Sequence, residues 1–310
     1  MRITGTFLDE ISHDIPHQNW GPKEWDADFA HMRNIGIDTV ILIRCGYQRF
    51  LTYPSEYLMQ QGCFKPRTDL VELFLQLAEK YGMQLLFGTY DSGKYWETGD
   101  MRHEIEVNLK VIEEVHQRYG HHKSFGGWYL SLELSRKTKG AVESIAKLGG
   151  HCKDVSNGLP VLISPWIDGK KAVMAKERAL RKDAGISLKK HQEEWDEIFE
   201  GIQGSIDIVA FQDGHVDYNE LEEYLIINKK LADKYGMSSW TNSESFDRDM
   251  PIKFFPIKFE KMLLKLEAAK RAGYEKAITF EFSHFMSPQS AYIQAHHLYN
   301  RYKEHFKYPK

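Results

Sequence analysis

A chain of 310 residues, 42% hydrophobic and 27% charged, has the apolar material for a large core and is neither disordered, collagen-like nor a disulfide scaffold in composition. Its net charge of −3 supplies no broad positive field for a phosphate backbone, which argues against nucleic-acid partners. No run approaches the roughly 18 consecutive apolar residues of a membrane span, and no membrane partner is expected.

The chain opens on Met1-Arg2-Ile3-Thr4-Gly5-Thr6-Phe7, which enters a strand pattern at once, without the basic, apolar and small-residue regions of a signal peptide. The expectation is a cytoplasmic protein, or a secreted or periplasmic one whose leader was removed. Strand-like runs begin near Thr4, Ile37, Gln84, Phe125, Pro160, Ser205, Met237 and Lys276. Amphipathic patterns predict helices over Glu24–Ile35, Asp69–Tyr81, Arg102–Tyr119, Gly140–Val155, Ser187–Gly201, Tyr218–Tyr235, Ile257–Ala272 and Pro288–Tyr302. Gly36, Gly82, Gly236 and Gly273 each stand between a helix pattern and the next strand, where glycine accepts the left-handed backbone that closes a last turn. Eight units of about 39 residues predict one (β/α)8 barrel over residues 1–310 rather than two domains. The first strand is not followed by the G-x-G-x-x-G of a dinucleotide fold, and no cofactor is expected. Cys45, Cys63 and Cys152 lack C-x-x-C spacing and read as free thiols.

The first, second, third and fifth strand-to-helix loops are long, which points to one functional end, the C-terminal face of the barrel. Alternation along Trp128 to Glu133 places Tyr129, Ser131 and Glu133 toward the axis, and along Ser238 to Glu244 it does the same for Asn242 and Glu244. Asp213 and Glu281 close the sixth and eighth predicted strands. A lone acidic residue after a strand is commonly a helix cap, but four at the ends of strands four, six, seven and eight, all expected to face the axis, suggest acid/base chemistry, since crowded carboxylates shift one another's pKa. Cleavage of a glycosidic bond uses such a pair. Glu133 is the expected general acid and Glu244 the nucleophile or general base; Asp213 is a catalytic candidate that orients one of them or positions a water.

Aromatic residues make up 13% of the chain. Trp20, Trp96 and Trp166, with Tyr47, Tyr90, Tyr95 and Phe246, fall in or beside the functional loops, where flat rings suit the C–H faces of sugars. Glu281, Asn242, Gln212, Tyr129, Arg44 and His215 complete the expected substrate-binding set, and the expected partner is an oligosaccharide or glycoside. An alternative is a divalent-metal enzyme of the sugar-isomerase or phosphoesterase type, with His215, Asp213, Glu244 and Glu281 around the ion. A further one is a non-catalytic carbohydrate-binding barrel. The stretch Gly169–Lys190 carries eight basic residues against two acidic ones and reads first as a solvated excursion, or else as a flap or a contact for an anionic sugar.

Gly127-Trp128-Tyr129 leading to Glu133, Ser164-Pro165-Trp166, Phe211-Gln212-Asp213-Gly214, Trp240-x-Asn242-x-Glu244-x-Phe246 and Gly5-Thr6-Phe7 together resemble a bacterial domain-of-unknown-function family described as "putative glycosyl hydrolases" with a (β/α)8 barrel. The resemblance runs over essentially the whole chain and implies that fold and a hydrolase acting on sugars. The sequence is also partly similar to the large clan of retaining glycosidases with glutamates after strands four and seven. It departs from that clan at Leu132, where Asn usually precedes the acid/base glutamate.

Overall fold

The computed structural model describes residues 1–13, 15–95, 100–132, 139–169, 186–248 and 254–309. Eight parallel strands close into a barrel: β1 (Ile3–Leu8), β2 (Thr39–Leu42), β3 (Gln84–Gly88), β4 (Phe125–Tyr129), β5 (Val161–Ile163), β6 (Ile208–Gln212), β7 (Ser238–Asn242) and β8 (Lys276–Thr279). Each strand pairs with its sequence neighbours, and β1 joins β8 through Ile3 opposite Ala277, so no edge is left exposed. This is the (β/α)8 architecture expected from the eight repeating units.

The period of two along the strands sorts the side chains into two cores. Phe7, Ile41, Leu86, Tyr129, Leu162, Ile208, Ala210 and Ile278 fill the barrel axis. The alternate residues, among them Leu8, Val40, Leu42, Phe87, Trp128, Val161, Val209 and Ala277, pack outward against the helices. Trp128 is fully buried there, with its indole N–H donated to Ser156 Oγ at 3.0 Å; truncating it to alanine would cost about 3–5 kcal/mol.

Local signals set the helix ends. The helix Leu70–Tyr81 starts where Asp69 accepts the Glu72 N–H, and stops at Gly82, whose φ of 63° a residue with a Cβ would resist. Ser187 caps Leu188–Ile202 in the same way, through the Lys190 N–H. Helices over Pro22–Asn34, Arg102–Tyr119, Ala141–Val155, Leu221–Lys234, Phe259–Arg271 and Ile293–Phe306 complete the outer ring. Pieces too short to show a period were not legible in advance. They are the helices Glu56–Gln60 and Phe282–Phe285, and two small ladders above the barrel mouth, one joining Gly46–Tyr47 to Phe50–Leu51 and Tyr90–Asp91, the other joining Phe246–Asp247 to Phe255–Pro256.

Among the described residues no helix is long and apolar enough to cross a membrane. The three cysteines are free, as expected.

Candidate functional site

A cavity of about 500 Å³ opens at the C-terminal ends of the strands. Its floor is aromatic: Phe7, Tyr129 and Phe280 meet with ring centroids 5.1 and 5.7 Å from Phe7. Trp166, Phe246 and Phe254 stand in its walls, and the first loop adds Ser12, His13 and Ile15. The polar lining comes from strand ends and the residues just beyond them: Arg44 after β2, Gln212 and His215 at and after β6, Asn242 and Glu244 at and after β7, then Arg248.

Glu244 is 2% exposed and gripped by Arg248 through two hydrogen bonds, Nε to Oε2 and Nη2 to Oε1, both 2.8 Å. Burial pushes this carboxyl up, but the Arg248 guanidinium, with Lys265 and His215 beyond it, more than reverses the effect and holds Glu244 below its ordinary value. The group is a carboxylate at neutral pH. Gly214 makes the pairing possible, because a Cβ there would lie 1.8 Å from Glu244 Oε2.

Asn242 and Gln212 are fixed by β5. Asn242 donates its amide to Ser164 Oγ at 3.0 Å, Ser164 donates onward to the Ala210 carbonyl, and Gln212 donates to the Ser164 carbonyl at 2.7 Å. Asn242 Oδ1 is buried with no hydrogen-bond partner among the described residues. Arg44 donates to Asp91 at 3.1 Å and lies over Tyr47, whose other neighbour is the stacked ring of His13.

The expected site residues therefore divide. Glu244, Asn242, Gln212, Tyr129, Trp166, Arg44 and His215 line one cavity. Asp213 and Glu281 do not, contrary to the expectation that all four carboxylates face the axis. Ile208, Ala210 and Gln212 take the axial parity of β6, so Asp213, one residue on, turns outward to Lys265 of the helix Phe259–Arg271, 2.7 Å away. Its Oδ1 also accepts the Glu244 N–H at 3.1 Å, while its Oδ2 has no partner among the described residues. Burial, and the nearby Glu244 charge, raise the Asp213 pKa despite Lys265.

In β8 the axial residues are Ile278 and Phe280, so Glu281 also faces away. It caps the helix Phe282–Phe285 through the N–H groups of Ser283 and His284 and pairs with His284 Nδ1 at 2.5 Å, the commonplace role of an acid after a strand. Trp20 is absent from the lining and packs edge-on to Trp25, 5.0 Å away. Tyr90 and Tyr95 lie in the outer core, while Tyr47 and Phe246 reach the cavity. Glu133 and Trp96 lie outside the described residues, as does most of the basic stretch Gly169–Lys190. Among the described residues no three His, Cys, Asp or Glu side chains converge to hold a metal ion. Glu244, Asp213 and Glu281 are directed to three different cations, so the ligand set of the metal alternative does not assemble.

Two residues at the centre of this arrangement, Arg248 and Lys265, were not legible as site residues. Arg248 follows Glu244 by four residues, a spacing that implies contact only on a helix, and here the chain runs through the short strand Phe246–Asp247. Lys265 falls on the apolar stripe of its helix, three residues after Met262 and four before Ala269, so the helical period does turn it inward, but nothing in the sequence shows that Asp213 is what it meets.

An aromatic, carboxylate-bearing cavity at the C-terminal face of a (β/α)8 barrel is the arrangement in which barrel enzymes carry their chemistry. The chain belongs to the DUF4434 family, a domain of unknown function, whose model matches residues 3–292. It is 64% identical to a crystal structure from Bacteroides thetaiotaomicron described as a "putative alpha-L-fucosidase", with a TM-score of 0.95 over 99% of this chain and 94% of that one. At 11% identity it shares its fold with an endo-1,4-beta-D-mannanase from Thermotoga petrophila, TM-score 0.59 over 98% and 99% of the two chains. An intracellular xylanase from Thermoanaerobacterium saccharolyticum also shares the fold at 11% identity, TM-score 0.53 over 90% and 85%. No curated protein sequence matches significantly.

Proposed function

We propose that the protein is a glycoside hydrolase, with residues 1–310 as one catalytic domain and an α-L-fucoside as the first substrate to test. The observation that carries this reading is the ionised Glu244, clamped by Arg248 in the wall of an aromatic cavity. A carboxylate so held cannot give up a proton, which assigns it the anionic role of nucleophile at the anomeric carbon or base toward water. The proton for the departing oxygen must come from a second group. Glu133 is that group in this reading, supported by the alternation of the fourth strand, which holds from Trp128 through Leu132.

Asp213 acts indirectly, holding the Glu244 backbone N–H and pairing with Lys265. Asn242, Gln212, His215 and Arg44 are the polar contacts for sugar hydroxyls. Trp166 offers a ring face, and the buried Tyr129 closes the floor. The description of the Bacteroides relative supplies the sugar, and the lining suits it: fucose carries a methyl group where other hexoses carry a hydroxymethyl, and Phe7, Ile15, Ile43 and Phe280 make an apolar wall.

The test is release of fucose from methyl α-L-fucoside and from 2′-fucosyllactose, whose departing oxygens need a proton, by the wild type and by Glu133→Gln and Glu244→Gln. Each variant should fold normally and lose turnover by about two orders of magnitude or more. Near-normal activity in either removes that residue from the chemistry. Tight binding of fucosides with no cleavage by the wild type would replace the enzyme by a carbohydrate-binding barrel.

A further inference from the structure

Among the described residues, the large hydrophobic side chains left most exposed are Phe50, Phe64, Leu264 and Ile293. Leu264 and Ile293 are single aliphatic residues on outer helices, which is ordinary. Phe50 and Phe64 are different. They are 60% and 48% exposed, yet their rings lie together with centroids 5.4 Å apart, and three further interactions hold them. The Phe64 N–H donates to the Arg49 carbonyl at 2.7 Å, Arg49 Nε donates to the Gly62 carbonyl at 2.9 Å, and the Arg49 guanidinium covers the Phe64 ring at 4.2 Å. The chain thus fixes an aromatic pair in place while burying little of it.

The pair is also next to the cavity. Phe50 is the cross-strand partner of Tyr47 in the small ladder, and directly opposed residues of an antiparallel pair project from the same face, with Cβ atoms about 5 Å apart. Tyr47 lines the cavity, while the other face of the ladder, at Gly46, is closed by Leu51 and Tyr90. Phe50, and Phe64 against it, therefore stand beside Tyr47 just outside the cavity lining.

We propose that Phe50 and Phe64, two rings tilted 57° to one another, form a cornered aromatic platform for a neutral pyranose ring, the leaving-group sugar of an oligosaccharide whose terminal residue enters the cavity. Aromatic faces rather than aliphatic side chains are the surface that flat C–H faces of a sugar recognise, and rings already held in place lose little freedom on binding. The position of this ring as leaving group rests on the glycosidase reading; the existence of the platform does not.

The experiment has two arms, each comparing the wild type with the double variant Phe50→Ala/Phe64→Ala. In the first, turnover of 2′-fucosyllactose is compared with that of α-L-fucosyl fluoride, which has no leaving-group ring. The ratio of kcat/KM between the two should fall about tenfold in the variant. In the second, saturation-transfer NMR with lactose alone reads contact with the disaccharide and needs no catalysis. Signal in the wild type that is lost in the variant supports the platform; no signal, or signal equal in both, overturns it. If neither glycoside is cleaved, the α-L-fucosidase reading fails and the lactose arm still decides the platform. A wild type that sediments as a dimer, beside a monomeric variant, would make the patch an interface between copies and also overturn the proposal.

Discussion

Lys265 crosses from the outer ring of helices to set its Nζ 2.7 Å from Asp213 Oδ1, and the same ammonium lies 3.1 Å from the Glu244 carbonyl oxygen. Both side chains are almost fully buried, so the pair is one in which losing a single partner is far more damaging than losing both. Lys265→Met should lower stability by about 3 kcal/mol or more, because an uncompensated carboxylate remains at Asp213. Adding Asp213→Asn in that background should restore part of the loss, since the amide oxygen can still accept the Glu244 N–H. Guanidinium denaturation of the four members of this cycle measures the coupling. Equal midpoints for wild type and Lys265→Met would show that the pair contributes nothing to stability.

Arg248→Met keeps an unbranched side chain but removes the guanidinium, which pairs with Glu244 and lies over the Phe246 ring at 4.8 Å. Arg248 is the principal influence opposing burial at that carboxyl, so the Glu244 pKa should rise in the variant and the acidic limb of the kcat/KM profile should move to higher pH. At neutral pH, loss of a bidentate charge-assisted contact should lower kcat/KM on the order of 10- to 100-fold. Stability depends on the same carboxylate. The folded Glu244 pKa lies below its ordinary value of 4.5, so its contribution is present above that pH and lost as pH falls through the folded value. Arg248→Met should lack this acid-side loss. An acidic limb that stays in place would detach Arg248, or Glu244 itself, from the rate.

Gly214→Ala places a Cβ 1.8 Å from Glu244 Oε2 and 2.4 Å from Arg248 Nε, and no rotation of a methyl group relieves that overlap. The Glu244 and Arg248 side chains must move apart. The expected outcome is a loss of activity of about 100-fold with a stability change of only about 1–3 kcal/mol, read by steady-state kinetics beside a denaturation curve. Wild-type activity in this variant would mean that the Glu244 and Arg248 pairing is dispensable.

These tests converge on residues of unequal legibility. Strand alternation and the glycines after helices are local signals, and they located the barrel, its functional face, Tyr129, Asn242 and Glu244. Asp213 and Glu281 were misplaced by a single step of register: each follows an axial residue, Gln212 or Phe280, and a strand changes face with every residue. The pairings of Arg248 and Lys265 could not be found that way at all. Their roles depend on which loop and which helix close over β6 and β7, a tertiary relationship to which short-range periodicity is blind.

His284 ties the last strand to the first loop, with Nδ1 2.5 Å from Glu281 Oε1 and Nε2 2.8 Å from the Pro16 carbonyl oxygen. Burial alone would lower its pKa, but the Glu281 carboxylate overrides that and raises it to about 9. Nearby, burial raises Asp28 to about 7, with the Ser287 and Ser283 hydroxyls opposing it as donors. In both cases the folded state holds a proton that the unfolded state releases at lower pH, so stability falls as pH rises. The His284 contribution is complete below its ordinary 6.5 and disappears on passing about 9; that of Asp28 declines from about pH 4 to 7. Melting temperature should therefore drop between pH 6.5 and 9.5, by an amount worth on the order of 2–3 kcal/mol for His284. His284→Asn should be less stable near pH 6 and should lose the part of the slope above pH 7. Pro16 adjoins Ile15 in the cavity wall, so the loop should also become more susceptible to proteolysis at high pH in the wild type, and at all pH values in the variant. A wild type whose melting temperature is flat from pH 6.5 to 9.5 would show that His284 is not held as a cation.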